Sequence, residues 1–147
     1  MVELREITRD NFNDCINLKV SEEQKNFVAS NIYSLAQAWV YHKTAFPFAI
    51  YNDNSLVGFI MLGYYEPESH YNIWRFMIDE RYQGKGYGKA ALSFGIQYLV
   101  ETYETKEIFL SVVPENIVAE NLYRSAGFER TGRMSGSEVV MCLKVIK

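Results

Sequence analysis

Arg81-Tyr82-Gln83-Gly84-Lys85-Gly86-Tyr87-Gly88-Lys89 places three of the chain's nine glycines within five residues, between the apolar run Phe76-Met77-Ile78 and a long helical pattern. Glycine lets the backbone turn left-handed and approach a ligand closely, aiming successive N–H groups at one point. The free N–H groups and positive end of a following helix favour an anion, phosphate above all. Arg81, Lys85 and Lys89 add charge of the right sign. Two nucleotide loops do not fit. A dinucleotide fingerprint needs a last glycine that GKGYGK lacks at the required spacing, and no βαβ unit precedes the turn. A triphosphate loop of the GxxxxGK[ST] kind needs Ser or Thr where Ala90 stands.

Outward from the turn, Tyr71 to Asp79 reads as a strand. Tyr87 to about Tyr103 reads as a helix with Ala91, Leu92, Gly95, Tyr98 and Leu99 on its inner face. Glu107 to Val113 is apolar at nearly every position, as a strand buried on both faces would be. Ile117 to Ser125 is a helix stopped by Gly127, and two last strands flank Ser135-Gly136-Ser137. Toward the N-terminus, Val2 to Thr8 alternates as a half-buried strand. Short helices are expected after Asp10, from Ser21 through Val28, and from Ser34 to about Tyr41. Phe46 to Tyr51 and Leu56 to about Tyr65 form a hairpin across Asn52-Asp53-Asn54-Ser55. The order predicts an α/β (α+β) domain over residues 1–147, a mixed and mostly antiparallel sheet of about seven strands flanked by helices.

Composition narrows the partners. The chain of 147 residues has a formal charge of −3, and its sequence pI near 5.4 argues against nucleic acid and anionic membrane. Residues 1–72 carry five bases and nine acids, whereas residues 73–147 carry ten bases and nine acids. The acidic excess thus lies away from the glycine turn. Cys15 and Cys142 form no metal-type pair and read as small buried residues of a reducing compartment. MVELREITRDNF carries charge from Glu3 onward and no apolar run, so no secretion leader and no membrane span are expected. A cytoplasmic location follows. Nothing suggests a metal site, and His42 and His70 are too far apart to suggest a catalytic grouping.

These residues resemble a known family. Arg81-x-x-Gly84-x-Gly86, following Phe76-Met77-Ile78-Asp79, looks like the acetyl-CoA loop of the GNAT superfamily of N-acetyltransferases. Asn116-x-x-Ala119-x-x-Leu122-Tyr123-x-x-x-Gly127-Phe128 resembles its second cofactor segment. Leu18-x-Val20-x-x-x-Gln24-x-x-Phe27-Val28-x-Ser30 and Ser34-Leu35-x-x-Ala38 resemble the front end of bacterial spermine/spermidine acetyltransferases, a region that forms the acceptor-side wall in the family.

The resemblance implies a single GNAT-like domain with acetyl-CoA as co-substrate. The pantetheine would pair with the main chain of Phe76, Met77 and Ile78. The pyrophosphate would lie on Gln83, Gly84, Lys85, Gly86, Tyr87, Gly88 and Lys89, with Asn116 and Ala119 on the far side. Tyr123 would protonate the departing thiolate as the amine attacks directly. Where some polyamine acetyltransferases hold an acid, this chain has Trp74, so the proton acceptor stays open among Glu66, Glu68, His70 and a water chain. Glu22, Glu23, Glu66 and Glu68 are candidates to hold a polyamine, with aromatic side chains along its methylenes. A homodimer is a family-level expectation. Other acceptors (an amino acid, an aminoglycoside-like drug, a protein N-terminus) and a non-catalytic acyl-CoA-binding module are the alternatives.

Overall fold

The structure is a computed structural model and describes residues 1–145. In chain order the elements are β1 (Val2–Glu6), α1 (Phe12–Ile16), α2 (Asn31–Val40), β2 (Ala45–Asn52), β3 (Ser55–Tyr65), β4 (His70–Ile78), α3 (Tyr87–Tyr103), β5 (Glu107–Val112), α4 (Ile117–Ser125), β6 (Glu129–Ser135) and β7 (Glu138–Lys144). The seven strands make one sheet in the order β1-β2-β3-β4-β5-β7-β6. Every pairing is antiparallel except β4 with β5.

Both faces of the sheet centre are covered. Along β3, Val57, Ile60 and Leu62 join the core under α3, while Phe59 and Met61 join a second core with Cys15, Leu18 and Ala38 on the α1–α2 side. Such a strand reads as an unbroken apolar run, which Leu56 to Leu62 nearly is. Helix α3 lies close on β3 because Gly95 faces it: a Cβ there would stand 3.0 Å from Ile60 Cδ1. Aromatic residues fill the far end of this interface. Tyr103 stacks on Phe46 at 5.2 Å and on Tyr71 at 4.7 Å between ring centres, and Tyr98 meets Phe48 edge-on at 5.0 Å. A large part of the aromatic content is therefore packing.

Two expectations about the front segment need correction. Ser21 to Val28 is no helix but a run of turns, with Gln24 N–H donating to the Ser21 carbonyl and Phe27 N–H to that of Gln24. Ser21 does meet the Gln24 side chain, as a capping box would, but no apolar stripe follows to hold a helix in place. Helix α2 starts three residues before the expected Ser34, because Ser30 is its N-cap and accepts from Tyr33 N–H at 3.1 Å.

At the other end, Glu120 of α4 is buried yet charged. Arg130 of β6 donates to both its oxygens at 2.7 Å, and Arg124 donates at 2.8 Å. The hydrogen bonds from Arg130, opposed by burial and helped by Arg124, hold the Glu120 carboxyl at about 2 against an ordinary 4.5. A carboxyl depressed in the folded state adds stability above its unfolded value and loses it as pH falls toward the folded one. Glu120→Gln should therefore lower the unfolding free energy at pH 7 by about 1–3 kcal/mol. The deficit should shrink between pH 4.5 and about 2. Urea titrations across that range check it, and an equal deficit at every pH would refute the assignment.

Candidate active site

Strands β4 and β5 pair only at Tyr71 with Ile108 and Asn72 with Phe109. Beyond these pairs β5 follows β7 while β4 follows β3, and a wedge opens between them. The ladder of β3 and β4 shifts register here: Met61 faces Arg75 but Leu62 faces Ile73, leaving Trp74 as an extra residue. Such bulges bend a strand and re-aim its side chains. The wedge is a cleft of about 630 Å³, lined along β4 by Ile73 to Ile78 and along β5 by Ser111 and Val112.

One end of the cleft is built for an anion. Gly84 and Gly86 have φ of +77° and +85°, and a Cβ at either would meet nothing within 4 Å. The glycines thus serve the turn's left-handed geometry and leave an open face. Gly86 is the N-cap of the 17-residue α3 and supplies no side-chain acceptor, so the first N–H groups of the helix stay available. Gly84, Gly86, Tyr87, Gly88 and Lys89 line the cleft, and Lys85 does not. Tyr87 is anchored by Asn52, whose amide donates to its hydroxyl at 3.1 Å. Gln83 lines the cleft while its amide donates to the Ile78 carbonyl and to Gln24 Oε1, each at 2.9 Å. Across the wedge, Asn116 caps α4 by accepting from Ala119 N–H at 3.3 Å, and both residues line the cleft.

Tyr123 of α4 lines the cleft, 7% exposed, with Phe76 and Phe128 at 6.3 and 6.0 Å between ring centres. Burial pushes its phenol far above the ordinary value of 10.0, so it is a neutral proton donor at physiological pH.

The front segment supplies a further wall: Val20, Gln24, and Asn26 to Ala29. Arg75 of β4 lines the same cleft. It donates to the Trp74 carbonyl at 2.8 Å and to Gln37 Oε1 at 3.1 Å, and its buried Nε has no partner among the described residues. Burial draws its guanidinium down, with Tyr33 and Glu138 opposing. Glu138, the first residue of β7, is the sole carboxylate lining the cleft among the described residues, and its Oε1 accepts from Ser111 Oγ at 2.9 Å.

The four acids singled out in the sequence stand elsewhere. Glu22 is exposed and paired with Lys25 at 2.9 Å, and Glu23 is exposed beside it. Glu66 and Glu68 form a 3-10 turn between β3 and β4, where Glu68 accepts from Arg133 at 2.7 Å and faces His70 Nε2 at 3.6 Å. None of them lines the cleft. Glu138 and Arg75 went unmarked as site residues because Glu138 opens a terminal strand outside any motif and Arg75 looks like ordinary strand polarity.

Comparison with known proteins agrees with this geometry. Residues 2–128 match the family model described as Acetyltransferase (GNAT) family. The chain is 37% identical over 148 residues to a spermine/spermidine N(1)-acetyltransferase of Bacillus subtilis (strain 168), covering 95% of this chain and 97% of that protein. The fold resembles a spermidine N-acetyltransferase from Vibrio cholerae, solved with CoA and spermine (TM-score 0.78, 19% identity, covering 97% of this chain and 95% of that one). It also resembles a PaiA N-acetyltransferase from Thermoplasma acidophilum, solved with coenzyme A (TM-score 0.72, 19% identity, covering 98% and 99%). The chain, with its wedge between parallel strands closed at one end by a glycine turn and a bare helix N-terminus, belongs to the GNAT acetyltransferase family. It is an amine N-acetyltransferase, and acetyl-CoA is its co-substrate.

The turn itself yields a test of geometry. Gly86→Ala should cost about 1–2 kcal/mol of stability, because an L-residue resists the left-handed region even where space is open. Urea denaturation reads this directly, and an unchanged midpoint would show that the turn is not held at positive φ.

Proposed function

We propose that this chain transfers the acetyl group of acetyl-CoA to a primary amine of a polyamine of the spermine or spermidine kind, within one N-acetyltransferase domain spanning residues 1–147. The observation that carries the reading is the cleft, with an anion-receptive turn at one end, a buried phenol on its wall and Glu138 as the one carboxylate lining it among the described residues. The substrate named for the Bacillus subtilis relative supports the acceptor class.

In this reading the main chain of Phe76, Met77 and Ile78 holds the pantetheine. Gln83, Gly84, Gly86, Tyr87, Gly88 and Lys89 take the pyrophosphate, Lys85 supplies charge from outside the cleft, and Asn116 and Ala119 close the far wall. Acetyl-CoA supplies an acyl thioester. The ammonium first gives one proton to water; the neutral nitrogen then forms its bond to the carbonyl carbon as the C–S bond breaks, Tyr123 gives its proton to the sulfur, and the second proton shed by nitrogen returns through water to restore the phenol. Glu138 takes the place of the acid missing at Trp74, as counter-charge for the acceptor ammonium. Glu22, Glu23, Glu66 and Glu68 act from outside the cleft, as an acidic field that draws in a polycation over a Debye length of about 8–10 Å. We place the enzyme in the cytoplasm and as a homodimer. Its two unpaired cysteines fit a reducing compartment, and among the described residues no helix is long and apolar enough to cross a membrane.

Arg75 favours a second reading. A half-buried cation on the cleft wall suits an amine that carries a carboxylate, such as an amino acid. Following thiol release from acetyl-CoA with spermine, spermidine, amino acids and peptides separates the two. Release with polyamines is expected, and release with amino acids alone would overturn the polyamine assignment. Tyr123→Phe should lower kcat about 10²-fold or more while leaving the acetyl-CoA Kd unchanged; wild-type turnover would remove Tyr123 from the chemistry. Glu138→Gln keeps an acceptor for Ser111 but loses the charge. It should raise the polyamine KM about tenfold, the loss of one charge-assisted contact, and an unaltered KM would exclude it from acceptor binding.

A further inference from the structure

We propose that Asp79 is a positioning residue that fastens the acceptor wall to the cofactor turn, so that filling the turn shapes the acceptor site. Asp79 ends β4 where the chain enters the glycine turn, and its side chain is 3% exposed. Its backbone N–H donates to the Val57 carbonyl at 2.8 Å, tying it to β3. The two carboxylate oxygens serve two different segments, outside the cleft itself. Oδ1 accepts from Arg81 N–H at 3.0 Å and Arg81 Nε at 2.8 Å, which winds the start of the turn. Oδ2 accepts from Lys19 N–H at 2.9 Å, sixty residues away in sequence.

Two further ties lie beside it. Glu80 N–H donates to the Lys19 carbonyl at 2.7 Å, so both backbone groups of Lys19 are engaged by the pair Asp79-Glu80. Gln83 bridges the Ile78 carbonyl and Gln24 Oε1. The segment held this way has no helix of its own: between α1 and α2 it is turns. Leu18, Val20 and Val28 pack it on the second core, and these ties fix it against the turn. From it come Val20, Gln24, Phe27 and Val28 on the acceptor wall, and from the other side of the clasp come Gln83, Gly84 and Gly86. A buried carboxylate is costly unless its oxygens are satisfied, and here satisfaction requires both segments at once. Anything that orders the turn therefore orders the wall.

The inference rests on the reading of the turn as the acetyl-CoA site and not on the identity of the acceptor. Hydrogen exchange of the full-length chain, with and without saturating CoA, tests it. In the wild type, CoA should slow exchange at residues 82–90 and also at 19–29. Asp79→Asn should bind CoA within about threefold of wild type, yet lose most of the protection at 19–29. Its acceptor KM should rise about tenfold, within the usual 5–150-fold range of site-to-site coupling, with kcat little changed. Should Asp79→Asn fail to fold, Gln24→Ala cuts one of the three ties without touching the buried acid and should lose part of the same protection. Protection of 19–29 that is equal in the variants and the wild type would overturn the proposal. So would CoA binding that never reaches 19–29. A wild-type chain that binds no CoA would overturn the cofactor reading along with it.

Discussion

Two residue pairs, Tyr71 with Ile108 and Asn72 with Phe109, are all that join β4 to β5, and the site depends on that brevity. A parallel ladder continued for four more residues would seal the space the substrates need. Each strand instead has a better partner on its outer side, β3 for β4 and β7 for β5, so the two diverge without leaving their outer hydrogen bonds. The main chain of β4 facing the wedge is an edge inside a sheet. Elsewhere such an edge invites aggregation; recessed in a cleft, it can pair with a ligand's own amides.

Charge divides along the same line. The turn side of the cleft carries the bare N-terminus of α3 and Lys89, and Glu138 and Arg75 line it from β7 and β4. Tyr123 lies in an apolar surround that keeps its proton on. Burial acts in opposite senses on the two kinds of group here, raising the phenol of Tyr123 and lowering the guanidinium of Arg75, and each shift favours the neutral form. The ion pairs Glu120–Arg130 and Glu120–Arg124 tie α4 to β6, and none of the three residues lines the cleft.

What the sequence made legible follows from what each signal is made of. The hairpin of β2 and β3, helix α3 and its glycine turn, and helix α4 with Gly127 are local patterns, and they stand where periodicity and turn chemistry put them. The turns from Ser21 to Val28 misled because a capping signal is local while the helix it promises needs a face to bury. The glycine turn and the Asn116–Ala119 wall of the cleft were readable from two motifs. The wall made by residues 24, 75, 111 and 138 was not, since only the folded chain brings them together. Glu66 and Glu68 sit close in sequence to β4 but lie in the 3-10 turn before it, where Glu68 meets Arg133 and His70, and neither lines the cleft.

The bulge at Trp74 has a further meaning for how such a chain can change over generations. As the unpaired residue of its ladder, Trp74 can be replaced without loss of a cross-strand partner, which leaves that stretch of the cleft wall open to drift while the sheet keeps its register. One neighbour is held in turn. A Cβ on Gly63 would lie 2.6 Å from the Trp74 ring, so a side chain at 63 and an indole at 74 exclude each other. Among descendants of this sequence position 74 is free to change while Gly63 stays, whereas a side chain can appear at 63 only after the indole has gone.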